Sequence, residues 1–354
     1  MQGILKKTAF AGFAAILMAG TAHADILSPP GGHSVDVGLN KPIEIPGETP
    51  LKVAFFIATK SNNYVVAMVD EAERIAKEKG FELEVFDAQF NAQIQMDQLE
   101  NVLENGDFNA WYVTPVDSNL MCDVVTKDAA GKNIVVATSN ISICGRDMLP
   151  FAEQWEPGII TYVGAAETVD YIGRWMDTVV ADRAGEDSKA LLMKGFAGLT
   201  ITNALEAGAE RLSAADNDFE FVGQAYGDFT AADAQAKIET LLVAHPEVNV
   251  ILSAYSDMTV GAINALEDAG RLNDVAVYDI GAGKDSVPLI RDGAITASAT
   301  FGPRTHVRQS LGAILGVWQF GVMPPPVQDG LVLGDINNPV LIKADNLDTY
   351  SPEY

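Results

Sequence analysis

Residues 51–88 read LKVAFFIATKSNNYVVAMVDEAERIAKEKGFELEVFDA, and this stretch decides the fold. Residues 53–58 form a continuous apolar run of strand length. Val65, Val69, Ala72 and Ala76 then fall on one face of a helix that Gly80 stops, and residues 82–87 are a second strand. Strands without polar alternation are buried on both faces, the pattern of a parallel sheet covered by helices. The unit then repeats. Residues 110–114, 133–138 and 160–164 complete a first group of five strands. Residues 190–194, 219–224, 249–253, 275–279 and 295–301 form a second group, with helical patterns between most of them. The expected fold class is α/β, with two similar doubly wound parallel-sheet lobes and a cleft between them.

Upstream, Lys6 and Lys7 precede an apolar run from Ala9 to Met18, and Ala22-His23-Ala24 gives a small-x-small cleavage pattern. Residues 1–24 therefore read as an export signal cut after Ala24, too short to span a bilayer as a helix. No Cys stands at the cut, and no later segment is long and apolar enough to cross, so direct membrane insertion is not expected. Residues 25–50 hold Pro29, Pro30, Pro42, Pro46 and Pro50 and read as an extended lead-in. A formal charge of −25 argues against nucleic acid and against docking by charge on anionic lipid.

Cys122 and Cys144 lie just beyond two consecutive strands. In a parallel sheet both thiols leave the same edge, and export favours oxidation, so a Cys122–Cys144 disulfide is expected, with two separate thiols as the alternative. Two cysteines without nearby histidines do not suggest a metal site.

Ligands of open α/β sheets sit at the carboxyl ends of the strands, so the residues following each strand carry the functional reading. After the first comes Ser61-Asn62-Asn63-Tyr64, where amides and a phenol can bind hydroxyls or stack on a ring, or where an Asn simply caps the next helix. Asp117, after the third, reads as a cap. Ser139 and Asn140 follow the fourth. In the second half Gly195-Phe196-Ala197-Gly198 lacks dinucleotide-fingerprint spacing, and Gly281-Ala282-Gly283-Lys284 lacks the full phosphate-loop pattern. His33, His245 and His306 are widely separated, and no nucleophile elbow or zinc-protease motif occurs. No enzyme activity and no cofactor are expected.

Ser61-Asn62-Asn63-Tyr64, Pro115-x-Asp117, residues 194–198, Gly227-Asp228-Phe229, residues 241–246, Ser256-Asp257-Met258 with Gly261-Ala262, and Arg291-Asp292-Gly293 occur in an order that resembles the ribose-binding type of periplasmic sugar-binding protein, from Lys52 to about Asn346. The resemblance implies two lobes joined by a three-segment hinge, with lobe 1 at 51–165 and 302–327 and lobe 2 at 166–301 and 328–354. It implies ligand contacts at Asn62, Tyr64, Ser139, Asn140, Asn203, Phe229, Ser256, Gly281 and Phe301. The charged groups that the family often places at Ser139-Asn140, Asn203 and Gly281 are missing, and Asp279 is the candidate to substitute for the absent acid. A deoxy sugar or polyol is then conceivable. Phe229 also has a plain reading as a core side chain.

The function that this resemblance implies is periplasmic capture of a sugar or polyol by a monomer that hands it to the membrane permease of an ABC-type importer. The alternative keeps the fold but reports the ligand to a membrane kinase or chemoreceptor.

Overall fold

The computed structural model describes residues 27–215 and 218–354. The expected export signal and its cleavage point lie outside the described residues.

Two short strands, β1 (His33–Val35) and β2 (Ile43–Ile45), pair antiparallel. The alternation follows with β3 (Lys52–Ile57), α1 (Asn63–Lys79), β4 (Glu82–Asp87), α2 (Ala92–Asn105) and β5 (Ala110–Val113). A π-helical turn, Val124–Asp128, runs into α3 (Ala129–Gly131), then β6 (Val135–Ser139) and β7 (Thr161–Gly164). The second run is α4 (Val169–Asp182), β8 (Ser188–Lys194), α5 (Thr200–Ser213), β9 (Phe219–Tyr226), α6 (Ala231–Ala244), β10 (Val250–Ser253), α7 (Ser256–Asp268), β11 (Ala276–Gly281), α8 (Ser286–Arg291) and β12 (Ala297–Thr300). The chain ends with α9 (Pro303–Phe320), β13 (Val327–Asp329), β14 (Gly334–Asp335), β15 (Asn338–Pro339) and β16 (Leu341–Ile342).

Two sheets result, ordered β13-β7-β6-β5-β3-β4 and β16-β12-β11-β10-β8-β9. The ten strands read from the sequence supply five to each. The tail supplies a sixth strand to each, β13 parallel to β7 and β16 antiparallel to β12. Strands this short carry too little periodicity to stand out from a loop. The chain leaves the first sheet after β7, returns with α9, which packs on α1, β6 and β7, and leaves again after β13. Strand β13 keeps residues 328 and 329 with the first sheet, just past the break expected at 327.

Alternate residues of the central strands enter different cores. Val53, Phe55 and Ile57 of β3 pack with Ala110 and Tyr112 of β5 on one side, while Ala54 and Phe56 pack with Trp111 and Val113 on the other. Phe55 stacks on Tyr112 with centroids 4.3 Å apart. Helices cover both faces, so only the strand ends and their loops can reach a ligand. Residues 27–50, within the expected extended lead-in, pack onto the first lobe. Val35, Val37, Ile43 and Ile45 are buried, the Gly158 N–H donates to Val37 O at 2.8 Å, and His33 Nε2 meets Val317 O at 2.9 Å. The β1–β2 hairpin thus covers one flank of the first lobe and pins the irregular segment 141–158.

Cys122 and Cys144 are joined in that lobe with Cα atoms 4.6 Å apart. They close a loop spanning 22 residues in sequence. Replacing both by Ser should lower stability by about 3 kcal/mol, the loop-entropy value for a loop of this size. Chemical denaturation of the double variant checks this, and denatured, unreduced wild-type protein should titrate no free thiol.

Candidate ligand-binding site

A cavity of about 130 Å³ lies between the carboxyl ends of the two sheets. Asn62, Tyr64, Val65, Met68, Phe90, Thr114, Asn140 and Ile141 line it from the first lobe, and Leu199, Thr200, Ile201, Phe229, Ala254 and Tyr255 from the second. Glu167 and Phe301 line it from two of the segments that cross between lobes.

Tyr64 binds the halves together. It opens α1, where Asn62 caps the helix by accepting from Val65 N at 2.9 Å. Its N–H donates to Tyr255 Oη at 3.3 Å, and its ring lies 4.3 Å from that of Phe301. Its hydroxyl accepts from Asn140 Nδ2 at 3.0 Å and lies 3.1 Å from His306 Nδ1. Burial, with nearby Glu167 adding to it, pushes the phenol well above its ordinary range, so it stays protonated. Burial also holds His306 down at about 3, so this imidazole is neutral.

The aromatic side of the cavity is built from loops in unusual conformations. Phe90, Asn140 and Phe229 have φ of 55°, 66° and 65°, a left-handed region that costs non-glycine residues energy and concentrates at functional sites. The Phe229 ring packs edge-on to Tyr255 at 5.8 Å and to Phe196 at 5.7 Å, and lies 6.3 Å from Phe90 of the other lobe. Gly195 makes this possible, because a Cβ there would stand 2.2 Å from Phe229 Cζ.

Of the residues expected at the site, Asn62, Tyr64, Asn140, Phe229 and Phe301 line this cavity. Asn62 also caps α1, so both of its readings are met. Asp117 caps the following turn, accepting from Asn119 N and Leu120 N. Ser139 is displaced: it is fully buried, with Oγ 2.7 Å from Tyr112 Oη and donating to Asn140 Oδ1 at 3.1 Å, so it orients Asn140 from behind. Asn203 is turned away, its amide donating to Gly198 O at 3.3 Å.

Ser256 and Gly281 are met by the protein itself. Tyr354 folds back so that its hydroxyl is 3.0 Å from Ser256 Oγ, and its ring stacks on Tyr255 at 6.2 Å. A Cβ at Gly281, whose φ is 154°, would lie 1.7 Å from Ser256 Oγ and 2.9 Å from Tyr354 Oη. The position where the family often has an acid has no room for one here. Asp279 does not take its place. It is buried within the second lobe, outside the cavity lining, and burial raises its carboxyl to about 6, partly offset by the Ser298 and Thr259 hydroxyls.

Phe90 and Glu167 line the cavity but escape the sequence reading. Phe90 follows β4 and was accessible to the same strand-end argument. Glu167 stands just before Thr168, the cap of α4, and looks like an ordinary acid at a helix start. Its burial depends on the crossing between lobes.

Two substitutions separate site from core. Phe229 is half-buried. Phe229→Ala should weaken ligand binding more than tenfold, about 1.4 kcal/mol, while apo melting changes little. Calorimetric titration and apo melting of the same variant decide this. For Asp279 the sign follows from its raised value: the folded chain keeps a proton that the unfolded chain has already lost. Stability present at or below the ordinary carboxylate range therefore falls as pH rises to about 6. Asp279→Asn should flatten this part of the pH–stability curve and leave ligand affinity unchanged.

The periplasmic binding protein domain family matches residues 53–319. The ribose import binding protein RbsB of Escherichia coli strain K12 is 24% identical over 247 residues, covering 70% of this chain and 77% of that protein. RbsB of Bacillus subtilis strain 168 is 22% identical, covering 74% and 80%. The Caulobacter myo-inositol binding protein superposes with a TM-score of 0.72 at 22% identity over 87% of this chain and 98% of that one. A solute binding protein from Mycobacterium smegmatis with bound glycerol gives 0.70 at 23% identity over 84% and 96%. With two parallel-sheet lobes and a match across three quarters of its length, this chain belongs to the periplasmic binding protein domain family.

Proposed function

We propose that this chain captures an uncharged solute of the sugar or polyol class between its lobes, in the periplasm, and delivers it to the membrane permease of an ABC-type importer. The observation that carries this reading is the cavity at the carboxyl ends of both sheets, lined from both lobes and from two crossings. A ligand there touches both halves at once, so its binding energy favours the closed arrangement that a permease can read. Among the described residues the lining includes no lysine, arginine, histidine, serine or cysteine. Such a lining offers no cationic clamp for an anion, which favours an uncharged solute.

The import role rests on the RbsB relatives, which are named for ribose import. The periplasmic location rests on the family and on the expected signal at 1–24. Among the described residues no helix is long and apolar enough to cross a membrane.

A thermal-shift screen of the chain from residue 25 onward against sugars and polyols tests the reading. A cognate ligand at a hundredfold excess over its dissociation constant should stabilise the fold by about 2.7 kcal/mol. X-ray scattering with that ligand should show compaction. A radius of gyration unchanged at saturation would remove the closure step.

A further inference from the structure

We infer that closing of the lobes is linked to a proton on Glu167: the closed arrangement keeps this carboxyl neutral, and its ionisation in water favours the open one. The inference rests on the closure step of the capture reading above and adds a regulation to it.

The lobes meet across the cleft. Tyr64 N donates to Tyr255 Oη at 3.3 Å, and the Thr200 hydroxyl donates to Asp147 Oδ2 at 3.1 Å. Phe90 lies 6.3 Å from Phe229 and edge-on to Phe196 at 5.6 Å. Glu167 stands where the two halves are joined. It follows β7 in the first crossing segment and lines the cavity from there. Its Oε1 accepts from Ala165 N at 3.2 Å, and Thr168 Oγ1 donates to Ala165 O at 2.9 Å. Gly330 N, in another crossing, donates to Gly164 O at 2.8 Å. The carboxyl is thus fastened to the backbone of the hinge, and a cleft that opens there brings water to it.

The closed surroundings do not suit a charge. Glu167 is 4% exposed, and its Oε2 is buried without a hydrogen bond. Tyr64 of α1, Tyr112 of β5 and Tyr162 of β7 sense its charge, and burial keeps all three phenols protonated. Asp329 of β13 is the other charged group near it, itself half-buried, and no cation offsets the two among the described residues. A carboxylate taken out of water without a partner is costly, whereas one hydrated in an open cleft is not. Burial accordingly raises Glu167 to about 8, and Asp329 adds to the rise. The closed form therefore keeps a proton that the open form has already lost. The preference for closure is fully present at or below the ordinary carboxylate range and fades as pH rises to about 8, by at most about tenfold per pH unit. Asp257 and Asp329, also raised by burial, act in the same direction. Asp279 lies inside the second lobe and keeps its surroundings in either arrangement.

Spin labels on Leu120→Cys and Ala232→Cys in the chain from residue 25 onward test this. Both positions are exposed and follow strand ends of opposite lobes, and the paired Cys122 and Cys144 take no label. Distances between the labels are measured by pulsed dipolar spectroscopy at about pH 5.5 and about pH 8.5, without added solute. The ratio of the short-distance to the long-distance population should be at least tenfold lower at the higher pH. Glu167→Gln stays neutral and keeps an acceptor for Ala165 N. This variant, or Glu167→Ala should it melt early, should lose most of that change. A wild-type ratio that is equal at both pH values or rises with pH would overturn the inference, as would a folded Glu167 variant that shifts as the wild type does. The capture reading would still stand, because the solute screen tests it separately. A single distance that neither pH nor any sugar or polyol of that screen alters would remove the closure step as well.

Discussion

The contacts of Tyr64 are the constraint on which the rest of the site depends. One residue at the start of α1 touches the second lobe through Tyr255, a crossing segment through Phe301, and the floor of the first lobe through Asn140 and His306. Its position is set by an ordinary local device, the Asn62 cap, which fixes where α1 begins and so where the ring leaves the backbone. A shift of that helix start would move a contact to each lobe together. The polar atoms around Tyr64 are paired with one another, which makes the cluster stable when buried and leaves little of it for a ligand.

That internal pairing explains how a chain with the architecture of the sugar binders can present such an apolar cleft. The fold requires loops at the strand ends, but it does not require them to be polar. Here rings occupy much of the wall, and Tyr354 fills the space beside Ser256 and Gly281. Much of the polar side-chain capacity of the lining is used within the protein, and Glu167 Oε2 is buried without a partner. A buried carboxyl with a free oxygen is costly unless protonated or paired, and its environment favours protonation.

The tail has a second part in the architecture. Glu353 accepts from the Thr305 amide at 2.9 Å and the Thr305 hydroxyl at 2.7 Å, and Arg304 and Arg308 reach both Glu353 and Glu71 of α1. Glu71 is almost fully buried, and hydrogen bonding from Arg74, followed by Arg308, lowers its carboxyl to about 2 despite that burial. This network ties α1, α9 and the tail together, so the segment that carries Tyr354 is itself held by charge-assisted bonds.

The sequence by itself determined the two runs of parallel strands and the strand-end position of the cavity, favoured the pairing of Cys122 with Cys144, and named five of the residues that line the cavity. These follow from local pattern: apolar runs, helix stops, caps, and the rule that a parallel sheet exposes only its ends. Tertiary structure alone decided that Ser139 supports Asn140 from behind, that Asp279 belongs to a lobe interior, and that Tyr354 meets Ser256 and Gly281. It also decided that Glu167 is buried with one oxygen unpaired. These facts depend on which distant segments share a few ångströms of space. A side chain's direction at a strand end, and the arrival of a residue a hundred positions away, leave no periodic trace in the sequence around it.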